Sequence, residues 1–314
     1  MREVADGILQ LTLPLPFGLD HVHCYLLRRP TGGWMLVDTG LGVPDWEERW
    51  GRVVEELDAP IEQIFITHCH PDHVGGAADV QRVTGAEVLQ GALDHRMVVD
   101  MWGQGTWVAR AFDLFRAHGV PEDIASEIFT SMDVLRPAVR YAEPVTPIEP
   151  GDGVDGWRVM LFGGHADGHL ALRRDGILVG GDNLLLDITP NIGYSLDGDR
   201  DPLGTYLETL ARIEALAPRL TLPGHGPLIV DSSGRARETV AHHDGRLAET
   251  VAALDRAEPR DAYRVSLSLW AYDLVPIHRR FAVQETIAHL ERLVRDRRVR
   301  RHDGAGGAVA YTAA

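Results

Sequence analysis

One short run constrains this chain more than any other: Thr67-His68-Cys69-His70-Pro71-Asp72-His73 places three histidines and an aspartate within six residues. Imidazole and carboxylate are ligands that zinc, iron and manganese share, and a mixed N/O set suits them better than copper(I) or calcium. The run follows Ile61-Glu62-Gln63-Ile64-Phe65-Ile66, an apolar segment rich in β-branched residues that reads as a buried strand. Pro71 must end the strand geometry, and Gly75-Gly76 is expected to let the chain turn into a helix. In the extended part His68 and His70 fall on one side, while the bend turns Asp72 and His73 elsewhere, so one loop can serve two neighbouring metals. Alternation puts Cys69 on the other face, as a small buried hydrophobe.

The rest of the composition bounds the setting. A chain of 314 residues and 34.6 kDa holds one large domain with room for a small second one. A formal charge of -15 disfavours nonspecific nucleic-acid binding by the whole surface. The charge is uneven: fourteen arginines face eleven carboxylates between Arg235 and Asp303. No apolar run approaches the roughly 20 residues of a membrane span, and the first residues lack a secretory core, so no membrane and a cytoplasmic location are expected. Two cysteines, Cys24 and Cys69, argue against a disulfide framework.

Along the chain, His21 to Arg28 and Gly33 to Asp38 read as a hairpin whose second strand ends on Asp38, and Pro44 to Leu57 reads as a helix. A short helix from Gly76 to Val83 and a strand from Ala86 to Leu89 continue an α/β alternation. From about 91 to 150 the pattern is helical, with Met97, Met101, Trp102, Trp107, Phe112, Leu114 and Phe115; it serves either as a covering layer or as a lid on a cleft. Strands near Trp157 to Phe162, Leu170 to Arg173, Ile177 to Val179 and Arg219 to Leu222 then deliver His165, His169, Asp182 and His225 into glycine-rich loops. Rigid sheets commonly present sites in this way. Beyond about Arg235, three helical stretches and a hairpin around Gly304 to Gly307 have the order of a winged helix. His21 and His23 are given surface or supporting roles, and the histidines of the insertion and the tail no chemistry.

These motifs together resemble the metallo-β-lactamase superfamily: H-x-H-x-D-H at His68, His70, Asp72 and His73, then G-G-H-A-D-G-H at His165, G-G-D-N at Asp182 and P-G-H-G at His225, in the family's order. The resemblance implies an α/β fold, a four-layer αββα sandwich over residues 1–234, with a winged-helix-like domain over 235–314. The tail, notably Phe281 to Glu291, is similar to the lactamase-like protein 2 branch, and the superfamily includes glyoxalase II and other thioesterases. It further implies two divalent metal ions, zinc first and iron or manganese as alternatives. His68, His70 and His165 would hold one, Asp72, His73 and His225 the other, with Asp182 between them. Asp38 and His169 would support the site from behind.

Hydrolysis by a metal-bound hydroxide is the chemistry expected of such a centre, with Asp72 and Asp182 as the catalytic carboxylates. The expected substrate is a small acyl molecule, a thioester or other ester. A lactone, or RNA cleavage through Arg295, Arg297, Arg298, Arg300 and Arg301, is the alternative, although nucleic acid is not favoured as a partner. A homodimer through the tail is left open.

Overall fold

Successive residues of each central strand enter two different cores, which is the physical basis of the layers in this computed structural model. The structure describes residues 1–16, 18–104, 106–195, 197–270 and 273–314. The first half contains β1 (Arg2–Ala5), β2 (Ile8–Pro14), β3 (His21–Arg28), β4 (Trp34–Val37), α1 (Trp46–Glu56), β5 (Ile61–Ile66) and α2 (Pro71–Val74). It continues through α3 (Ala77–Thr84), β6 (Glu87–Gly91), α4 (Ala92–Val98), α5 (Thr106–Ala117), α6 (Glu122–Asp133) and β7 (Thr146–Ile148). The second half contains β8 (Gly153–Val154), β9 (Trp157–Leu161), β10 (Leu170–Arg174), β11 (Ile177–Gly181), α7 (Pro202–Leu216) and β12 (Leu220–Pro223). It closes with α8 (Ser232–Ala252), α9 (Ala262–Leu269), α10 (Pro276–Arg295), β13 (Val299–Asp303) and β14 (Val309–Ala313).

Strands β1 to β7 form one sheet in sequence order, antiparallel up to β4 and parallel from β4 to β7. A second sheet has the order β12-β11-β10-β9-β8, with only the β11/β12 pair parallel. Tyr25, Leu27, Met35, Val37, Phe65 and Leu89 meet Leu170, Leu172, Ile177, Val179 and Leu222 in a core between the sheets. Their neighbours Leu26, Leu36, Ile64, Ile66 and Val88 belong instead to the outer core, with Trp50, Val53 and Val80 of α1 and α3. Ala171 and Leu178 share that outer core with Leu210 and Ile213 of α7. Period-two alternation on strands buried on both faces therefore generates the αββα sandwich.

Several details differ from the sequence reading. The edge pair β1/β2 was not anticipated, because Arg2-Glu3-Val4-Ala5 is polar and β2 runs into Pro14. Helix α8 begins at Ser232, where Asp231 caps it by accepting from the Gly234 amide, so the expected division at 234/235 falls inside its first turn. Pro71 does not merely end a strand: it is the first residue of α2, where its missing N–H costs nothing. Gly75 and Gly76 have ordinary negative φ values of -62° and -95°. Their use is space: a Cβ on Gly76 would lie 2.7 Å from the Thr39 carbonyl oxygen, and one on Gly75 2.8 Å from that of Ala138.

The C-terminal helix α10 packs against α6, α7, α8 and α9, so it touches both the insertion and the body of the sandwich. A six-residue π-helical turn, Val99–Gln104, leads from α4 toward α5. Among the described residues, no helix is long and apolar enough to cross a membrane. Phe65 is fully buried between the sheets. Replacing it with alanine should cost about 3–5 kcal/mol in urea unfolding, and a loss below about 1 kcal/mol would place it outside the core that joins the layers.

Candidate active site

The ligand-type residues collect at one edge of the sandwich because the loops that carry them follow β5, β9, β11 and β12. His68 and His70 follow β5, and Asp72 and His73 lie in the single turn of α2. His165 lies in the loop after β9, Asp182 directly after β11, and His225 just past β12. The structure brings all seven together. One ligand-type atom each of His68, His70, His165 and Asp182 falls within a 4.8 Å group, and Asp72, His73 and His225 form a second such group. Asp182 lies between them: its Oδ2 is 3.4 Å from His73 Nε2, 3.3 Å from His225 Nε2 and 3.7 Å from His165 Nε2.

Four of the five imidazoles, those of His68, His73, His165 and His225, are aimed by their other nitrogen. His73 Nδ1 donates to Asp38 Oδ2 at 2.8 Å, His165 Nδ1 to the Asn191 carbonyl at 3.0 Å, and His225 Nδ1 to the His21 carbonyl at 2.7 Å. His68 Nδ1 is 2.9 Å from Thr67 Oγ1, whose own hydroxyl donates to Asp38 at 2.8 Å. This leaves His68 Nε2 and His70 Nδ1 3.0 Å apart and facing each other. Fixing one ring nitrogen to orient the other is characteristic of metal-ligating histidine.

Asp38 is thus the hub, holding His73, the Thr67 hydroxyl and the Thr67 amide. It adopts a left-handed φ of 60°, which an aspartate at a strand end tolerates. His169 stacks on His68 at 4.5 Å between ring centroids, and its Nε2 accepts the Asp182 amide at 3.2 Å. Glycine is required at two contact points. Gly181 has a φ of 51°, and a Cβ there would lie 2.6 Å from His169 Nε2. A Cβ on Gly224 would collide with Asp182 Oδ1.

The electrostatics describe a cluster whose lone pairs point inward. Burial holds His70 down to about 3 and lowers His68, His165 and His169 as well, so these rings are neutral. Burial acts the same way on His225, but the Asp182 and Asp72 carboxylates overcome it and raise His225 to about 10. His73 is raised likewise by Asp182, Asp38 and Asp72. Four buried atoms at the centre, Nε2 of His73, His165 and His225 and Oδ1 of Asp182, have no hydrogen-bond partner among the described residues. A divalent cation among them satisfies all four and replaces the protons, so the residues fit one.

Sequence reasoning missed several participants. Thr67 and Asn191 orient ligand rings, and Asn191 in turn donates to Glu285 of α10 at 2.9 Å. Asp94, buried in α4, accepts the Cys69 and Gly168 amides at 2.9 Å each and so clips two ligand loops together; burial raises it to about 7. Its position just past the end of β6 was the available signal. His21 and His23, expected to be surface or supporting residues, both hold the 225–226 loop, through Gly226. Cys69 is buried outside both ligand groups.

A cavity of about 530 Å³ opens onto the cluster, touching His70, Asp72, His165, Asp182 and His225. The rest of its lining includes Met97, Met101, Trp102 and Trp107 of the insertion and Arg280 and Phe281 of α10. Met101, Trp102 and Trp107 also belong to the packed core with Leu114 and Phe115, and Phe112 packs against it, so the insertion is both covering layer and pocket wall.

Residues 17–225 match the metallo-beta-lactamase superfamily and residues 247–314 the metallo-beta-lactamase-like C-terminal domain. The chain belongs to that superfamily, and with its His/Asp cluster it is a metallo-hydrolase. It is 27% identical over 280 residues to the probable metallo-hydrolase YqjP of Bacillus subtilis, covering 84% of this chain and 85% of that one. It is 28% identical over 235 residues to the beta-lactamase-like protein 2 homolog of Drosophila melanogaster, covering 74% and 68%. The crystal structure of a metallo-beta-lactamase family protein from Thermus thermophilus superposes with a TM-score of 0.86 at 31% identity, covering 99% of this chain and all of that one.

Because His225 holds a proton below about pH 10 in the cation-free cluster, loading must release it. Affinity for zinc should rise about 10-fold per pH unit for each proton displaced between pH 7 and 9. Titration calorimetry in buffers of different ionisation heat measures that release, and a pH-independent affinity would contradict it.

Proposed function

We propose that this metallo-hydrolase cleaves a small acyl substrate, a thioester first, using two divalent ions held by the seven clustered residues, with zinc the leading candidate. The observation that carries the reading is the pairing of the cluster with an apolar cavity: Met97, Met101, Trp102 and Trp107 line the same cavity as His70, Asp72 and His225. Such a wall accepts a hydrocarbon or aromatic acyl group, and a single guanidinium in it is too little charge for a chain of phosphates. Among the arginines that suggested RNA binding, Arg301 pairs with Glu291 at 2.6 Å and Asp303 at 2.9 Å, and Arg295 lies 3.8 Å from Asp201. That engagement favours the acyl reading over phosphate contact.

Bound divalent ions supply a Lewis acid for the acyl oxygen and lower the pKa of water toward about 7. The chain's own residues do the positioning. Asp182, between the two groups, sets their spacing and holds the attacking water on the cavity side. Asp72 lines the cavity and lies 3.2 Å from His225 through its Oδ2, so its carboxylate can take the proton that water gives up. Burial of the cluster excludes competing water and strengthens both effects. Asp38, Thr67, Asn191 and His21 keep the rings from turning, so the geometry is in place before substrate arrives.

A steady-state panel of acyl thioesters, lactones and labelled RNA, run on protein reconstituted with zinc, tests the proposal. Thioester turnover is expected, with Asp72→Asn lowering kcat by about 10²–10⁴-fold. Cleavage of RNA with no ester or thioester turnover would overturn it.

A further inference from the structure

The cavity holds one charge that the hydrolytic centre does not use. Arg280, on α10, lines its wall with the guanidinium carbon 5.3 Å from the Trp107 ring centroid and 5.4 Å from that of Phe281. No carboxylate among the described residues lies within ion-pairing distance of it, and its Nε is buried without a partner. The four carboxylates around the cavity are committed elsewhere. Asp72 and Asp182 belong to the cluster, Asp94 accepts the Cys69 and Gly168 amides, and Asp167 accepts the Asp199 amide. The Cys69 thiol, close enough to interact with Arg280, is raised by burial and stays protonated. Burial lowers Arg280 only to about 10, so it remains a cation at neutral pH.

Arg280 is half-buried, and a cation partly withdrawn from water with no counter-charge is costly; proteins normally satisfy one with an anion. Guanidinium presents a planar fork that matches a carboxylate, and the flanking rings add cation–π support while keeping water away. Arg280 is the only arginine among the described lining residues. One positive charge in an apolar wall balances a monoanion, whereas a phosphate dianion would remain under-compensated.

We propose that Arg280, Trp107 and Phe281 form a subsite for a carboxylate on the acyl part of the substrate, so that the enzyme selects acyl groups carrying a second, anionic end. This rests on the acyl-hydrolase reading for its substrate class. Arg280 then acts as a specificity residue, gripping the far end of a group whose scissile bond lies at the cluster. It takes no part in bond breaking.

The test compares two thioesters of equal chain length, an adipyl monothioester and the hexanoyl thioester, on zinc-loaded wild type, Arg280→Met and Arg280→Lys. Wild type should prefer the adipyl substrate. Arg280→Met should remove about 10- to 100-fold of that preference, through the KM of the adipyl substrate with its kcat retained. Arg280→Lys should restore part of it, which a packing defect would not allow. Equal selectivity in all three proteins would overturn the inference. A second arm needs no turnover: adipamate and hexanamide, titrated by tryptophan fluorescence. If no thioester is cleaved, yet adipamate binds wild type and not Arg280→Met, the subsite stands and the acyl-hydrolase reading falls. Equal binding of adipamate to both proteins would sink the subsite itself.

Discussion

Everything at the working edge of this molecule depends on keeping seven ionisable side chains packed together, four buried and three half-buried, with their lone pairs turned inward. Unaided, such a cluster is unfavourable: desolvation penalises every charge, and rings free to rotate would point their nitrogens at one another's protons. The chain meets this with a surrounding layer of ordinary hydrogen bonds. Asp38 ties down His73 and Thr67, Thr67 ties His68, and backbone carbonyls of His21 and Asn191 tie His225 and His165. The result is a preorganised hole that a divalent cation fits better than two shared protons do.

The sandwich supplies the rigidity that this arrangement needs. Strands buried on both faces cannot slip register without exposing one of two cores, so the loops at their ends are fixed to within the tolerance of metal ligation. Asp94 and α10 then act from outside the sheets. Asp94 joins the loop after β5 to the loop before β10, and Glu285 of α10 holds Asn191, which holds His165. The C-terminal helix is therefore part of the site's support as well as a wall of its pocket.

Much of this was legible in the sequence, for specific reasons. His68, His70, Asp72 and His73 are local, and His165, Asp182 and His225 each sit beside glycines that mark strand-end loops. The central strands announced themselves because burial on both faces requires unbroken apolar runs. The edge strand β1, with one polar side, carried no such mark. Long-range partners were harder to read: nothing near Asn191 or Arg280 shows that the fold brings them to the ligand loops, because docking of α10 decides it, and Asp94 is marked only by its place just past a strand end. Gly75 and Gly76 were noticed for the wrong reason, since steric room and not backbone freedom demands them.

The central claim is that the cation is held by nitrogen and oxygen alone, with the Cys69 thiol kept out although it lies between two histidines of the run. X-ray absorption at the zinc edge of the loaded protein tests this directly. The account predicts a first shell of nitrogen and oxygen at about 2.0–2.2 Å, with the outer-shell pattern of imidazole. A sulfur scatterer at about 2.3 Å would contradict it.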